Sequence, residues 1–138
     1  MNVIVTDAGF APDDWSEGFA TRDAMAANNS QVSALDLASD AAPETLQGQL
    51  DNIAMIRVDF PSFADGRGFT IARRLRLMGF SGRLRARGHV IADQYAMARR
   101  AGFDEVEIDA DLAARQPQEH WRARANWRAH DYQSRLRG

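Results

Sequence analysis

The sequence predicts an α/β domain of about four βα units with parallel strands, built as half of a βα barrel or as a small open sheet flanked by helices. Three observations carry this. From residue 32 onward, short apolar runs of strand length alternate with segments of helical period. Ala-Arg-Arg at 72–74 returns at 98–100 and Gly-Phe at 79–80 returns at 102–103, a spacing that fits one helix, one strand and short loops. Finally, 138 residues with 45% hydrophobic content make one buried core and not two.

The elements follow in order. Residues 1–30 contain Pro12, Asp13, Asp14, Gly18 and Asn28-Asn29-Ser30, with no sustained period beyond Val3-Ile4-Val5. They read as an irregular N-terminal arm of a single domain spanning 1–138. Val32 to Leu37 is a short strand, Pro43 to Leu50 a helix with Pro in its first turn, and Ile53 to Phe60 a buried strand. Phe69 to Met78 sets Ala72, Leu75 and Met78 on one helical face. Arg83 to Arg87 then alternates Leu84 and Ala86 with Arg, as a strand does. The last unit is helix Ala92 to Ala101 and strand Glu105 to Asp109, and a final helix, Gln118 to Gln133, follows Pro117. Gly79 and Gly102 stand just past their helices, where glycine supplies a left-handed cap and the next apolar residue packs back onto the last turn. Strands joined by helices are parallel, with right-handed crossovers. Four such units leave open sheet edges unless the sheet is doubly wound, the arm covers them or a second copy pairs with them, so a homodimer is among the expected partners.

Composition excludes several chemistries. With no Cys there are no disulfides, thiolate nucleophiles or cysteine-held clusters. With no Lys, all 17 basic residues are Arg, which removes Schiff bases and a Walker lysine. No cofactor is expected in this chain. Residues 1–65 hold eleven acids and two Arg, whereas 66–138 hold eight acids and fifteen Arg. That asymmetry suits an anionic ligand on the second half, contacts between unlike faces of two chains, or simply two solvated faces. No apolar run approaches the ~18 residues of a membrane span, and MNVIVTDAG lacks the basic start of a signal peptide, so the expected location is cytoplasmic.

Residues 59–104 carry a denser signal. Phe60-Pro61, Phe63, Asp65 to Gly68, Ala72-Arg73, Leu75-Arg76, Gly82, Leu84 to Ala86, Gly88, Val90, Asp93-Gln94 and Gly102 to Asp104 form a spaced pattern. It resembles the signature of the domain-of-unknown-function 934 family. The resemblance implies a bacterial cytoplasmic protein of assimilatory sulfite reduction that carries an oxidoreductase label. The residues themselves show neither a Gly-x-Gly-x-x-Gly after a strand nor a flavin fingerprint. His89 stands where the family pattern usually has Asp.

Ligands of parallel α/β sheets gather beyond the carboxyl ends of the strands, here at Asp59, Arg87 and Asp109. The loop Asp65-Gly66-Arg67-Gly68 opens a helix whose first amides, with Arg67, can hold sulfite, sulfate or phosphate. Alternatively, Asp65 caps that helix and Arg67 pairs with an acid. Arg73 and Gln94 join the anion- or substrate-binding set. Arg85 faces away from Leu84 and Ala86, and Asp59 on the preceding strand is its expected partner, for orienting a substrate or for filling the interior. His89 and Asp93 lie four apart at a helix start, where a His–Asp hydrogen bond can tune a general base, so the catalytic candidates are His89, Asp59 and Asp93. His120 and His130 do not have metal-ligand spacing, and no metal site is expected. The tail HWRARANWRAHDY mixes Arg with aromatics, but overall acidity sets nucleic acid aside. It reads as a docking helix with Trp121, Ala125 and Tyr132 on the sheet.

Three functions fit these residues. One is an accessory protein of sulfite assimilation that binds a small oxyanion and acts with sulfite reductase or a related redox protein, without nucleic acid or membrane. Another is a small barrel-like enzyme working at the strand ends with Arg85, Asp59, Asp65, Arg67 and His89. The third is a non-catalytic homodimeric module.

Overall fold

The apolar Val3-Ile4-Val5 stretch is a strand. In the computed structural model, which describes residues 2–27 and 32–130, Val3–Thr6 (β1) and Gly9–Ala11 (β2) form an antiparallel hairpin. Four more strands follow: Ala34–Leu37 (β3), Met55–Phe60 (β4), Arg83–Gly88 (β5) and Glu105–Ile108 (β6). These four lie parallel and in chain order, and β1 joins antiparallel to β6, giving the sheet order β2-β1-β6-β5-β4-β3. The protein is thus a mixed α/β domain with a six-stranded, mostly parallel sheet. The hairpin is a departure from the expected irregular arm and purely parallel sheet. A four-residue strand whose sheet partner lies near the other end of the chain has too little period of its own to be read locally.

Alternation along each strand separates two faces. On one, Leu35, Leu37, Ile56, Val58, Phe60, Leu84, Ala86, Val106 and Ile108 are buried in a single cluster. The helices cover this face: Arg22–Ala27 (α1), Arg67–Leu77 (α2), Tyr95–Ala101 (α3), Ala110–Arg115 (α4) and Gln118–Arg122 (α5). They contribute Met25, Ile71, Ala72, Leu75, Tyr95, Ala98, Leu112 and Trp121 to the same cluster, where each large apolar side chain adds about 1.5–3 kcal/mol by leaving water. Both glycine caps form as expected. Gly79 and Gly102 have positive φ, the amides of Phe80 and Phe103 donate back to Leu75 O and Ala98 O, and both rings are buried.

Further elements differ from expectation, among them α1, a helix inside the stretch read as an irregular arm. Pro43 to Leu50 is not an α-helix but a 3-10 turn at Pro43–Leu46, a left-handed Gly48, and a second 3-10 turn at Leu50–Asn52. Asp109 does not end a strand. It caps α4, its Oδ1 accepting from the Leu112 amide at 2.8 Å. The helix expected over Gln118 to Gln133 stops at Arg122, where Trp121 is buried and its indole donates to Gln116 O, and a 3-10 turn follows at Trp127–His130. Tyr132 and the rest of that stretch lie outside the described residues. Among the described residues no helix is long and apolar enough to cross a membrane.

The other face of the sheet is charged. Asp36 holds Arg57 through both oxygens at 2.6 and 2.8 Å, and Arg57 reaches Glu107 at 3.0 Å. Fully buried Arg85 donates to Glu105 at 2.6 Å and Glu107 at 2.9 Å, and Arg83 bonds Glu105 and Asp14. Guanidinium groups tolerate burial only with such partners. Residues 12–20 lie across this face. Asp13 comes within 3.1 Å of Arg85, and the Phe19 ring covers Arg57. The backbone of Ala20 bonds Ala34 and Asp36, so the arm shields the outer edge of β3.

Candidate functional site

The carboxyl ends of β3, β4 and β5 open onto a groove of about 480 Å³, lined by Arg22, Asp36, Asp40, Arg57, Asp59 and Arg87 among others. A second cavity of about 260 Å³ adjoins it, with Asn2, His89, Glu107 and Asp109 in its wall. The two share Asp59 and Arg87. The parallel topology places them here, because each strand delivers its last outward-facing residue to the same edge.

Most charges around these cavities are already engaged. Burial pulls the Arg57 pKa down, but hydrogen bonds and charge from Asp36 and Glu107 outweigh it and hold the group above its ordinary value. For Glu107, burial pushes upward, while a hydrogen bond from Asn2 and the guanidinium groups of Arg57 and Arg85 hold it below the usual carboxylate range. Asp109 is committed to the α4 cap. Asp59 and His89 differ: among the described residues neither side chain makes a hydrogen bond or ion pair. Arg87 is nearly as open, its ion pair being a loose 3.8 Å contact with Glu107 on a side chain 45% exposed. Among the described residues Arg22 forms no ion pair and contacts Met25 Sδ at 3.5 Å and Thr45 Oγ1 at 3.3 Å.

Of the sequence candidates, Asp59 and His89 come together in one cavity. Arg85 does not join them. The register sets Arg57 opposite Arg85 and Asp59 opposite Arg87, so Arg85 pairs with Glu105, Glu107 and Asp13 beneath the arm and not with Asp59. Asp93 is exposed and bonds Arg124 at 2.7 Å instead of His89. Gln94 ties two loops, accepting from the Ile91 amide and donating to Phe63 O. In the Asp65–Gly68 loop, Asp65 accepts from the Arg67 amide and side chain, and Arg67 also reaches Ser39, so Arg67 pairs with an acid as expected, whereas Asp65 does not cap the helix: the residue at the cap position is Gly66, with no side-chain cap hydrogen bond. The Arg67 guanidinium holds the Asp65 carboxyl far below its ordinary range. Gly66 is the residue before α2, and Gly68 lets the helix start press on Phe60. Arg73 is exposed on α2, outside both cavities.

Arg22, Asp40, Arg57, Arg87 and Glu107 also line the candidate cavities and are not among the site residues the sequence singles out. One available signal was the pair of strand ends: with β4 ending near Asp59 and β5 near Arg87, aligning the ends of parallel neighbours sets those two side by side. The acids on β6 alternate as Glu105 and Glu107, but nothing local shows that they neutralise arginines of β4 and β5. Among the described residues no three His, Asp or Glu side chains gather as a metal site.

The molecule is therefore a small α/β protein with a charged sheet face and a mixed-charge groove at the carboxyl edge of its parallel strands. The chain belongs to the family described as "Bacterial protein of unknown function (DUF934)", whose sequence model matches residues 34–138. That match takes in all four parallel strands and begins after the N-terminal hairpin and arm. No curated protein and no solved structure matches the chain.

Proposed function

We propose that this chain is an anion-binding accessory protein of assimilatory sulfite reduction that acts in the cytoplasm with sulfite reductase or a related redox protein. The observation that carries the binding half is Arg87, which lines the strand-end groove and, among the described residues, has a loose 3.8 Å contact with Glu107 and no hydrogen-bonded carboxylate, while Arg57 is held by Asp36 and Glu107. Arg22, which lines the same groove, adds a second guanidinium without an ion pair among the described residues. Two such groups facing one cavity suit an oxyanion. The sulfite-assimilation half rests on the family resemblance. The consecutive order of β3 to β6, with the helices on one face, also suits half of a βα barrel; on that reading the charged face is the barrel interior and the groove its functional end.

The test is a thermal-shift titration of the full chain with sulfite, sulfate and phosphate, repeated with Arg87→Ala. A concentration-dependent rise in Tm that vanishes in the variant supports the reading. A flat response to all three anions overturns the binding half. Size-exclusion chromatography of the chain mixed with sulfite reductase addresses the partner: co-elution supports it, and separate elution at micromolar concentration removes it.

A further inference from the structure

Asp59 and Arg87 are register partners on neighbouring parallel strands, with side chains on the same face of the sheet. Adjacent strands run about 4.8 Å apart, so a carboxylate and a guanidinium at such positions are within reach of each other. The comparable opportunities on this face are taken: Asp36 pairs with its register partner Arg57, and Glu105 with its partner Arg85. Asp59 and Arg87 form no ion pair with each other, Arg87 has only a loose 3.8 Å contact with its other register partner Glu107, and the two are shared by both cavities at the strand ends.

Asp59, without a side-chain partner among the described residues, and Arg87, held only by a loose 3.8 Å contact with Glu107, select a particular ligand chemistry. A bare oxyanion satisfies Arg87 but sits beside the Asp59 carboxylate, where like charges repel. It also leaves space unfilled: a water molecule takes about 30 Å³ of liquid, so an ion of four or five heavy atoms occupies a small part of a groove of about 480 Å³. A molecule carrying both an anionic group and an ammonium group bridges the two side chains, with one set of charges on each.

We propose that the ligand of this groove is a small amino-acid-like zwitterion, its carboxylate or sulfonate on Arg87 and its ammonium on Asp59. This rests on the strand-end groove being a ligand site, as argued above, and narrows what it takes. His89, which lines the same smaller cavity as Asp59 and Arg87, is available as a further polar contact for the ligand.

The experiment is isothermal titration of the full chain with taurine and L-serine as zwitterions, and with propanesulfonate and sulfate as anions lacking the amine. Each is repeated on Asp59→Asn and Arg87→Ala, with circular dichroism confirming that the variants fold. The expected result is that at least one zwitterion binds about tenfold or more tightly than either simple anion, equal to one pK unit of differential interaction. Asp59→Asn then weakens the zwitterion about tenfold while sulfate binding is unchanged or stronger, because a repulsive carboxylate has gone. If sulfate and propanesulfonate match the zwitterions and Asp59→Asn weakens neither, the zwitterion proposal falls and anion binding stands. Absence of binding by all four at about 10 mM, weaker than any specific site here should be, overturns both. Retained zwitterion binding in Arg87→Ala overturns the placement of the site.

Discussion

The guanidinium carbon of Arg57 lies 3.7 Å from the centroid of the Phe19 ring. Through this stacking the arm holds the charged face of the sheet, because Asp13 and Asp14 engage Arg85 and Arg83 from partly exposed positions. A cation–π contact of this kind is worth about 0.5–2 kcal/mol, more as it is desolvated. Phe19→Ala is therefore expected to lower global stability by about 1 kcal/mol and to speed proteolytic cleavage within residues 12–19 much more than cleavage elsewhere. Equal acceleration along the whole chain would mean that the arm is not a separately opening unit.

Glu107 is the hinge of the charge network, accepting from Asn2, Arg57 and Arg85 at a side chain only 4% exposed. Removing one partner of a buried ion pair leaves an uncompensated charge and costs about 3–5 kcal/mol. Glu107→Ala should fall in that range by urea denaturation, with Glu107→Gln costing less because it keeps the shape and one acceptor. A loss below about 1 kcal/mol for Glu107→Ala would show that the network is solvated in a way its burial denies.

Gly68 lies in the loop that the sequence singled out for anion binding, and its geometry assigns it a packing role. A Cβ built there would come 2.4 Å from the Phe60 ring, which is buried and hemmed by Phe69 and Phe103 at centroid distances of 4.9 and 5.8 Å. A Cβ at Gly66 would meet only Phe69, at an ordinary 3.8 Å. Gly68→Ala should cost about 1–3 kcal/mol through overpacking, even after the helix-propensity gain of about 1 kcal/mol. Gly66→Ala should change stability by less than about 0.5 kcal/mol, as surface substitutions do. Comparing the two denaturation midpoints checks this, and equal effects would remove the packing explanation.

How much of this was legible follows from which interactions are local. The Gly79-Phe80 and Gly102-Phe103 caps were readable because every contact they need lies within six residues, and the strand cores at Ile56 to Phe60 and Leu84 to Ala86 announced themselves by composition. Pro43 to Leu50 misled because Pro favours any first turn, α or 3-10, and Gly48 breaks the segment only once its backbone is left-handed. The candidate cavity is half legible: the strand-end rule points to Asp59 and His89, which line one cavity, but it pairs Arg85 with Asp59, whereas Arg85 bonds Glu105 and Glu107. The β4–β5 register decides that partner, and alternating patterns fix which face a residue takes without fixing how far one strand slides along the next.

Acid sensitivity is the remaining expectation, and its sign follows from two carboxylates. Asp7, in the β1–β2 turn, is pushed upward by burial, but hydrogen bonds from Tyr95 at 2.5 Å and from Trp127, with the charge of Arg99, hold it below its ordinary value. Glu107 is depressed by the network described above. A carboxylate whose folded pKa lies below its unfolded one binds fewer protons folded than unfolded, so stability falls as pH drops. The contribution is complete above the unfolded values, about 3.9 for Asp and 4.3 for Glu, and is lost progressively as pH falls through the lower folded values. Urea midpoints should therefore be level between pH 7 and about 5 as far as these groups are concerned, and decline steeply toward pH 3. Tyr95 has the opposite sign. Burial and the Asp7 carboxylate raise its pKa, so its contribution is present below about 10 and fades at higher pH. In Asp7→Asn and Glu107→Gln the acid limb should flatten, with the variants less stable than the parent at pH 7 and converging on it near pH 3. Parallel curves for parent and variants would assign the acid loss to other carboxylates.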